Sequence, residues 1–216
     1  MKNYRGMLIV VSGPSGSGKG SICSELSKQR IDVTISVSVT SRPPRAEDIE
    51  GKSYYFKTEK EFGEMINKHE LLEWVRYCDN YYGTPKKDLE NKLDEGINVV
   101  LEIEVTGALN VKKVYPDSVL VFIVPPRYED LIDRLRGRGT EDEEVIRKRI
   151  NKAIVEIQSV KEYDYLVVND TVQNAVSQIE AIIDAERSRV IRNQDKLDKF
   201  IETLKEAKKD DRTLNQ

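Results

Sequence analysis

The chain has 216 residues, 35 basic against 38 acidic side chains and a formal net charge of −3. Such a length supports a buried core without staples, and the slight acidity argues against a protein whose main partner is nucleic acid. Two cysteines without a C-x-x-C spacing and a single histidine argue against disulfide or zinc chemistry and for a reducing, cytoplasmic setting, and no signal peptide or membrane span is expected.

Near the start, "MLIVV" (Met7–Val11) is a β-branched apolar run suited to a strand covered on both faces. Glycines follow it, and then "SICSELSK", with Ile22 and Leu26 at helical spacing. Glycines at a strand-to-helix turn can aim backbone N–H groups at an oxyanion, with the positive end of the helix dipole behind them. Gly13, Pro14, Ser15, Gly16, Ser17, Gly18 and Lys19 are therefore a candidate phosphate cradle, with Lys19 as the mobile charge for the outer phosphates. Gly20 stands where a hydroxyl residue usually follows the lysine, which leaves Ser21 as a less direct metal ligand.

The run "VTISVSV" (Val33–Val39) reads as the next strand. From Ser41 to Gly83 the chain is rich in tyrosine, charge and turn residues, which predicts a small inserted mixed or β subdomain. There "SRPPR" sets Arg42 and Arg45 three apart around two prolines. A polyproline helix has three residues per turn, so both guanidiniums would share one side as a phosphate clamp; the same residues would also serve as a stiff, solvated linker. "ELLEWVRYCDNYYGTP" carries Glu73 in an otherwise apolar strand, where an acid needs a partner. The hydroxyls of Tyr81 and Tyr82 either pack or donate to phosphate.

Further on, strands at Ile97–Ile103, Ser118–Val124 and Tyr165–Val168 alternate with helical stretches at "TPKKDLENKLDEG", "VTGALNVKKVY" and "RYEDLIDRLRGR". That alternation predicts a three-layer α/β core with a parallel sheet and ligands at the carboxyl ends of its strands. Arg127 to Glu162 reads as a highly charged helical flap, and Val176, Ile179, Ile182 and Ile183 mark a helix packed on the core. Beyond Arg189 a weaker stripe of Leu197, Ile201 and Leu204 suits a solvated helix or an oligomer contact.

Taken in order from Arg5 to Arg187, "GPSGSGKGS", "SVSVTSRPPRAEDIEGKSYYF", "LLEWVRYCDNYYGTP", "VLEIEVTGA", "VFIVPPRYEDLIDRLRGRGTEDEEVIRKRI" and "YLVVND" resemble the guanylate kinases. The resemblance implies a P-loop kinase core (5–37, 97–126 and 163–187), a mixed α/β GMP-binding insert (38–96), a helical lid (127–162) and a charged helical tail (188–216). It implies transfer of the ATP γ-phosphoryl group to GMP with Mg2+, in a monomer or homodimer with no nucleic-acid or membrane partner.

By matched position, ATP lies on Gly13 to Ser21, including Gly20 and Ser21, beneath Arg134, Arg138 and Arg149, with Asn169 near adenine. Lys19, Arg42, Arg138 and Arg149 carry catalysis, and Ser21 is the metal ligand. The GMP phosphate falls to Arg42, Arg45, Tyr54 and Tyr82, and the guanine edge to Ser38, Glu73 and Thr84. Glu73 is expected to accept from N1 and N2 while the hydroxyls of Ser38 and Thr84 donate to O6. The chain departs from the family pattern in three places: Glu104 and Thr106 replace the usual Asp and Gln of "IDxQGA", Ala46-Glu47-Asp48 replaces A-G-E, and the Gly20-Ser21 pair resembles adenylate kinases more than most guanylate kinases. The rival readings are a kinase of this fold for another acceptor (a ribose bisphosphate or AMP) and a non-catalytic protein-binding module. The guanine-reading positions speak against the first, and the intact glycine loop against the second.

Overall fold

A computed structural model describes residues 4–77, 79–136 and 143–214. They form two compact units, one ending at Ile179 and one beginning at Glu180.

The first unit is built on five parallel strands in the order β2-β7-β1-β8-β9: β1 (Leu8–Ser12), β2 (Val33–Ile35), β7 (Asn98–Glu102), β8 (Val119–Val124) and β9 (Tyr165–Val168). β1 is buried at every position, as the unbroken apolar run requires, and β8 is buried from Val119 to Ile123. α1 (Lys19–Gln29) buries Ile22 and Leu26, α3 (Lys86–Asp94) Leu89 and Leu93, and α4 (Val105–Val114) Ala108 and Val111. α7 (Val172–Arg187) buries Ala175, Val176 and Ile179 within this unit.

The stretch Val33–Val39, expected as one strand, is two. Ser36 donates its backbone N–H to Val100 in the core sheet at 2.9 Å, while the Ser38 carbonyl accepts from Tyr55 at 2.9 Å. Residues 36–38 thus cross from the core to a second sheet, of order β4-β3-β6-β5: β3 (Val39–Thr40), β4 (Tyr55–Phe56), β5 (Leu71–Tyr77) and β6 (Asn80–Pro85). This sheet is mixed, with β3–β4 parallel and the other pairs antiparallel. α2 (Glu59–Asn67) covers it with the buried Phe62 and starts on a capping box in which Thr58 and Glu61 satisfy each other's backbone N–H groups.

α5 (Tyr128–Arg136) and α6 (Glu143–Gln158) fall in the charged stretch before β9. The second unit holds the end of α7, a short 3₁₀ turn and α8 (Gln194–Leu214). Its turn is tied by the Asn193 amide, which donates to the carbonyls of Arg187 and Arg189, and by the buried Glu186, which pairs with Arg189 and Arg192, each at 3.2 Å. α8 leaves Leu197, Phe200, Ile201 and Leu204 exposed. Among the described residues no helix is long and apolar enough to cross a membrane.

Candidate active site

Between β1 and α1 the glycine loop takes the conformation that its composition allows. Gly13 has φ +145°, and a Cβ there would lie 2.2 Å from the Ile123 carbonyl oxygen; Gly18 has φ +92°, and a Cβ there would lie 2.2 Å from the Asn169 amide nitrogen. Both positions therefore exclude a side chain. Asn169 is buried and donates to the Ser17 carbonyl at 2.7 Å, Arg134 donates to the Asn169 carbonyl at 3.3 Å, and Arg149 donates to the Ser15 hydroxyl at 2.6 Å. Three distant elements thus gather at one loop, with the residues singled out in the sequence. Arg138 lies outside the described residues.

Lys19 opens α1, and its ammonium donates to the carbonyls of Gly13 at 2.7 Å and Pro14 at 3.1 Å. Burial lowers its pKa, and the charges of Glu104 and Glu102 partly offset that. Glu102 ends β7, and Glu104 is the N-cap of α4. Glu102 was not singled out in the sequence, although an acid closing the apolar run Val99–Leu101 at the carboxyl end of a parallel strand is a signal in hindsight. Its carboxylate faces the first turn of α1, 3.4 Å from where a Cβ on Gly20 would stand. Burial raises the pKa of Glu102. For Glu104 burial acts in the same direction, but the hydrogen bond and charge of Lys152 at 2.9 Å outweigh it and hold the pKa below the ordinary carboxylate value.

A cavity of about 430 Å³ runs from Lys19, Glu102 and Glu104 to Ser38, Tyr54, Glu73 and Tyr82. Glu73 is the anomaly of β5. Its residue is 7% exposed while the neighbouring Trp74 is 43% exposed. The pairing of β5 with β6 shifts between Leu71 and Trp74, a local irregularity of the kind that re-aims a side chain. Burial pushes the Glu73 carboxyl up to about 7, against the pull of one hydrogen bond from Thr84. Gly107, on the first turn of α4, makes room for it: a Cβ there would stand 3.0 Å from Glu73 Oε2.

Thr84 is fully buried, and its hydroxyl donates to Glu73 Oε1 at 2.8 Å. Ser38 lines the cavity.

The two arginines of the proline-rich stretch differ. Arg42 is largely covered and donates to Asp48 at 2.8 Å and to the Pro43 carbonyl at 2.9 Å, with its guanidinium 5.4 Å from the Tyr54 ring centroid. Burial works against its charge, but the hydrogen bond and charge of Asp48 raise its pKa. Asp48 also accepts the Arg45 backbone N–H at 2.8 Å, while Arg45 itself is exposed. Asp48, which stands in the departure from the family's A-G-E, is thus the residue that sets Arg42. The Tyr54 and Tyr82 rings meet edge to face at 6.0 Å.

The sequence matches the guanylate kinase family model over residues 5–186. It is 50% identical over 191 residues to the guanylate kinase of Caldanaerobacter subterraneus subsp. tengcongensis, covering 88% of this chain and 93% of that one. To the guanylate kinase of Desulfitobacterium hafniense it is 48% identical over 192 residues, covering 89% and 96%. The crystal structure of guanylate kinase from Anaplasma phagocytophilum is similar with a TM-score of 0.74 at 30% identity, covering 89% of this chain and 92% of that one. Similarity of this depth over nearly the whole of each partner, in sequence and in fold, settles the placement: the chain belongs to the guanylate kinase family.

Proposed function

We propose that the chain transfers the γ-phosphoryl group of ATP to GMP, with ATP on the Gly13–Ser21 loop and GMP in the cavity that ends at Glu73. The observation that carries the acceptor is Glu73 itself. A buried carboxylate with one oxygen held by Thr84 and the other over a glycine suits the adjacent N1–H and N2–H₂ donors of guanine. Adenine presents an acceptor at N1, which would leave the acid unpaired.

In this reading the protein does little covalent chemistry; it aligns the acceptor oxygen with the γ-phosphorus and neutralises the charge that develops. Lys19 reaches the transferring group from its place on the loop carbonyls. Arg134 and Arg149, already at the loop, cover the phosphates together with Arg138, and Asn169 stands beside the adenine end. Arg42, Arg45, Tyr54 and Tyr82 hold the GMP phosphate, with Arg42 pre-set by Asp48 so that less side-chain entropy is lost on binding.

The residues at the end of β7 fit a magnesium ion. Glu102 faces the turn that carries Gly20 and Ser21, so a carboxylate and a hydroxyl offer hard oxygen donors, too few for a closed cage but suited to a cation that brings phosphate and water ligands with it. Bound there, the ion would offset charge on the transferring phosphates.

Steady-state phosphorylation of GMP, AMP and a ribose bisphosphate tests the assignment. GMP should be preferred by several orders of magnitude, because a polar site rejects partners that leave its buried groups unpaired. Equal use of AMP overturns it. A second expectation concerns Thr84→Val, which removes the donor and nearly keeps the shape. A hydrogen bond to a charged group is worth roughly 1.5–3 kcal/mol, so kcat/KM for GMP should fall about ten- to hundredfold. The KM for ATP should stay put; if it rises as much as that for GMP, Thr84 does not serve the guanine end.

A further inference from the structure

Two acids stand two residues apart where β7 ends, and their surroundings differ. Glu102 faces the turn of Gly20 and accepts no hydrogen bond among the described residues. Glu104 is the N-cap of α4, yet its carboxylate makes no cap hydrogen bond. It turns instead to α6, where the ammonium of Lys152 donates to its Oε2 at 2.9 Å. The same ammonium pairs with the buried Glu156 at 3.2 Å and stands 3.7 Å from the centroid of the Tyr77 ring. A cation set between two carboxylates and an aromatic face is a specific contact, not a solvated charge.

Side-chain length bears on which acid the lysine takes. The family pattern has Asp at position 104, and the extra methylene of Glu104 extends its carboxylate towards α6. Charge bears on why. Glu104 lines the cavity together with Tyr54 and Tyr82, the tyrosines assigned to the GMP phosphate. A bare carboxylate there would repel an incoming phosphate dianion, and one paired with an ammonium repels it far less.

We propose that Lys152 is a positioning residue that withholds Glu104 from the magnesium ion and offsets its charge beside the GMP phosphate, leaving Glu102 as the acid that meets the metal. The inference rests on the site assignment made above. Lys152 touches neither nucleotide in this role; it acts through Glu104. The two acids at the end of β7 therefore divide their work, one as a metal donor and one as the counter-ion of a lysine.

Two titrations of the full chain test this. In the first, Mn2+ binding is followed by electron paramagnetic resonance with the protein saturated in a β,γ-methylene analogue of ATP. Glu102→Gln should weaken Mn2+ about tenfold or more, whereas Glu104→Gln should leave it within about twofold of wild type. In the second, GMP is titrated calorimetrically without metal. Lys152→Met, which bares Glu104, should weaken GMP about fivefold, the scale of one partly screened charge contact. Combining it with Glu104→Gln removes the bared charge and should return GMP to within about twofold of wild type. A lysine that merely ties α6 in place would not be restored in that way. Equal loss of Mn2+ affinity in the two glutamine variants overturns the proposal, because Glu104 then holds the metal too. So does a Lys152→Met variant that binds GMP like wild type, or a double variant as weak as Lys152→Met by itself. If neither glutamine variant weakens Mn2+, or the wild type does not bind GMP, the fault lies one step back, in the site assignment, and the proposal falls with it.

Discussion

Lys19→Met is expected to lose about a hundredfold or more in turnover while the protein stays folded. The removed group is a cation in a largely water-excluded position, where one charge contact to a developing transition state is worth a few kcal/mol. Methionine keeps the unbranched stem, so the change isolates the charge. The obvious objection is that the ammonium also holds the loop, since it donates to the carbonyls of Gly13 and Pro14. Other contacts hold the same loop. The Ser17 carbonyl accepts from Asn169 at 2.7 Å, the Ser17 N–H reaches Pro14 at 3.1 Å, and Gly13 and Gly18 are fixed by close approach to Ile123 and Asn169. The variant should therefore bind ATP with a modest loss and melt within a few degrees of wild type, while kcat collapses. The measurement is kcat at saturating nucleotides beside a thermal melt. Retention of more than about a third of wild-type turnover would show that this loop does not hold the transferring phosphate.

What the sequence made legible, and what it hid, follows from the range of the interactions involved. The glycine loop and the parallel core were legible because both are written locally: apolar runs long enough for a strand buried on both faces, and glycines where backbone meets backbone. The break of Val33–Val39 into β2 and β3 was not legible. A continuous β-pattern says nothing about which sheet each half joins; hydrogen bonds to Val100 and Tyr55 decide that, and both partners are distant in the chain. Glu102 looked like the polar end of a strand, because its neighbour across the loop is Gly20. Lys152 looked like one of many charges on a helix, since its partners come from residues 77 and 104. The Thr84–Glu73 hydrogen bond was hidden for the same reason: it joins residues of two different strands, brought together only by the pairing of β5 with β6. Two signals were local and readable. The Thr58–Glu61 capping box announces α2, and Asp48 lies six residues after the arginine that it holds.

Glu73→Gln should alter both the choice of base and the pH profile, and it is the sharper of the two largest effects. In the proposed role the acid accepts from two adjacent donors of guanine, which it can do only when ionised. Burial places its pKa at about 7, so kcat/KM for GMP should fall as the pH drops through that value and level off above it. Glutamine does not titrate, and its amide turns one acceptor into a donor that meets a donor of the base. The variant should lose about a hundredfold or more of its GMP efficiency, lose the acid limb near pH 7, and lose most of its preference for GMP over IMP, which lacks the 2-amino group. Stability should move the other way. An acid whose folded-state pKa is raised favours the unfolded chain as pH climbs from its ordinary value towards 7 and beyond, because the unfolded form ionises more easily. The glutamine variant, with nothing to ionise, should therefore melt at or above the wild-type temperature at pH 8 and gain nothing at pH 4. A thermal melt at the two pH values, beside the three-acceptor kinetics, separates the outcomes. If the acid limb survives in the variant, the titrating group is not Glu73. If the limb vanishes but GMP is still preferred over IMP as strongly as before, the acid titrates in the site without reading the base.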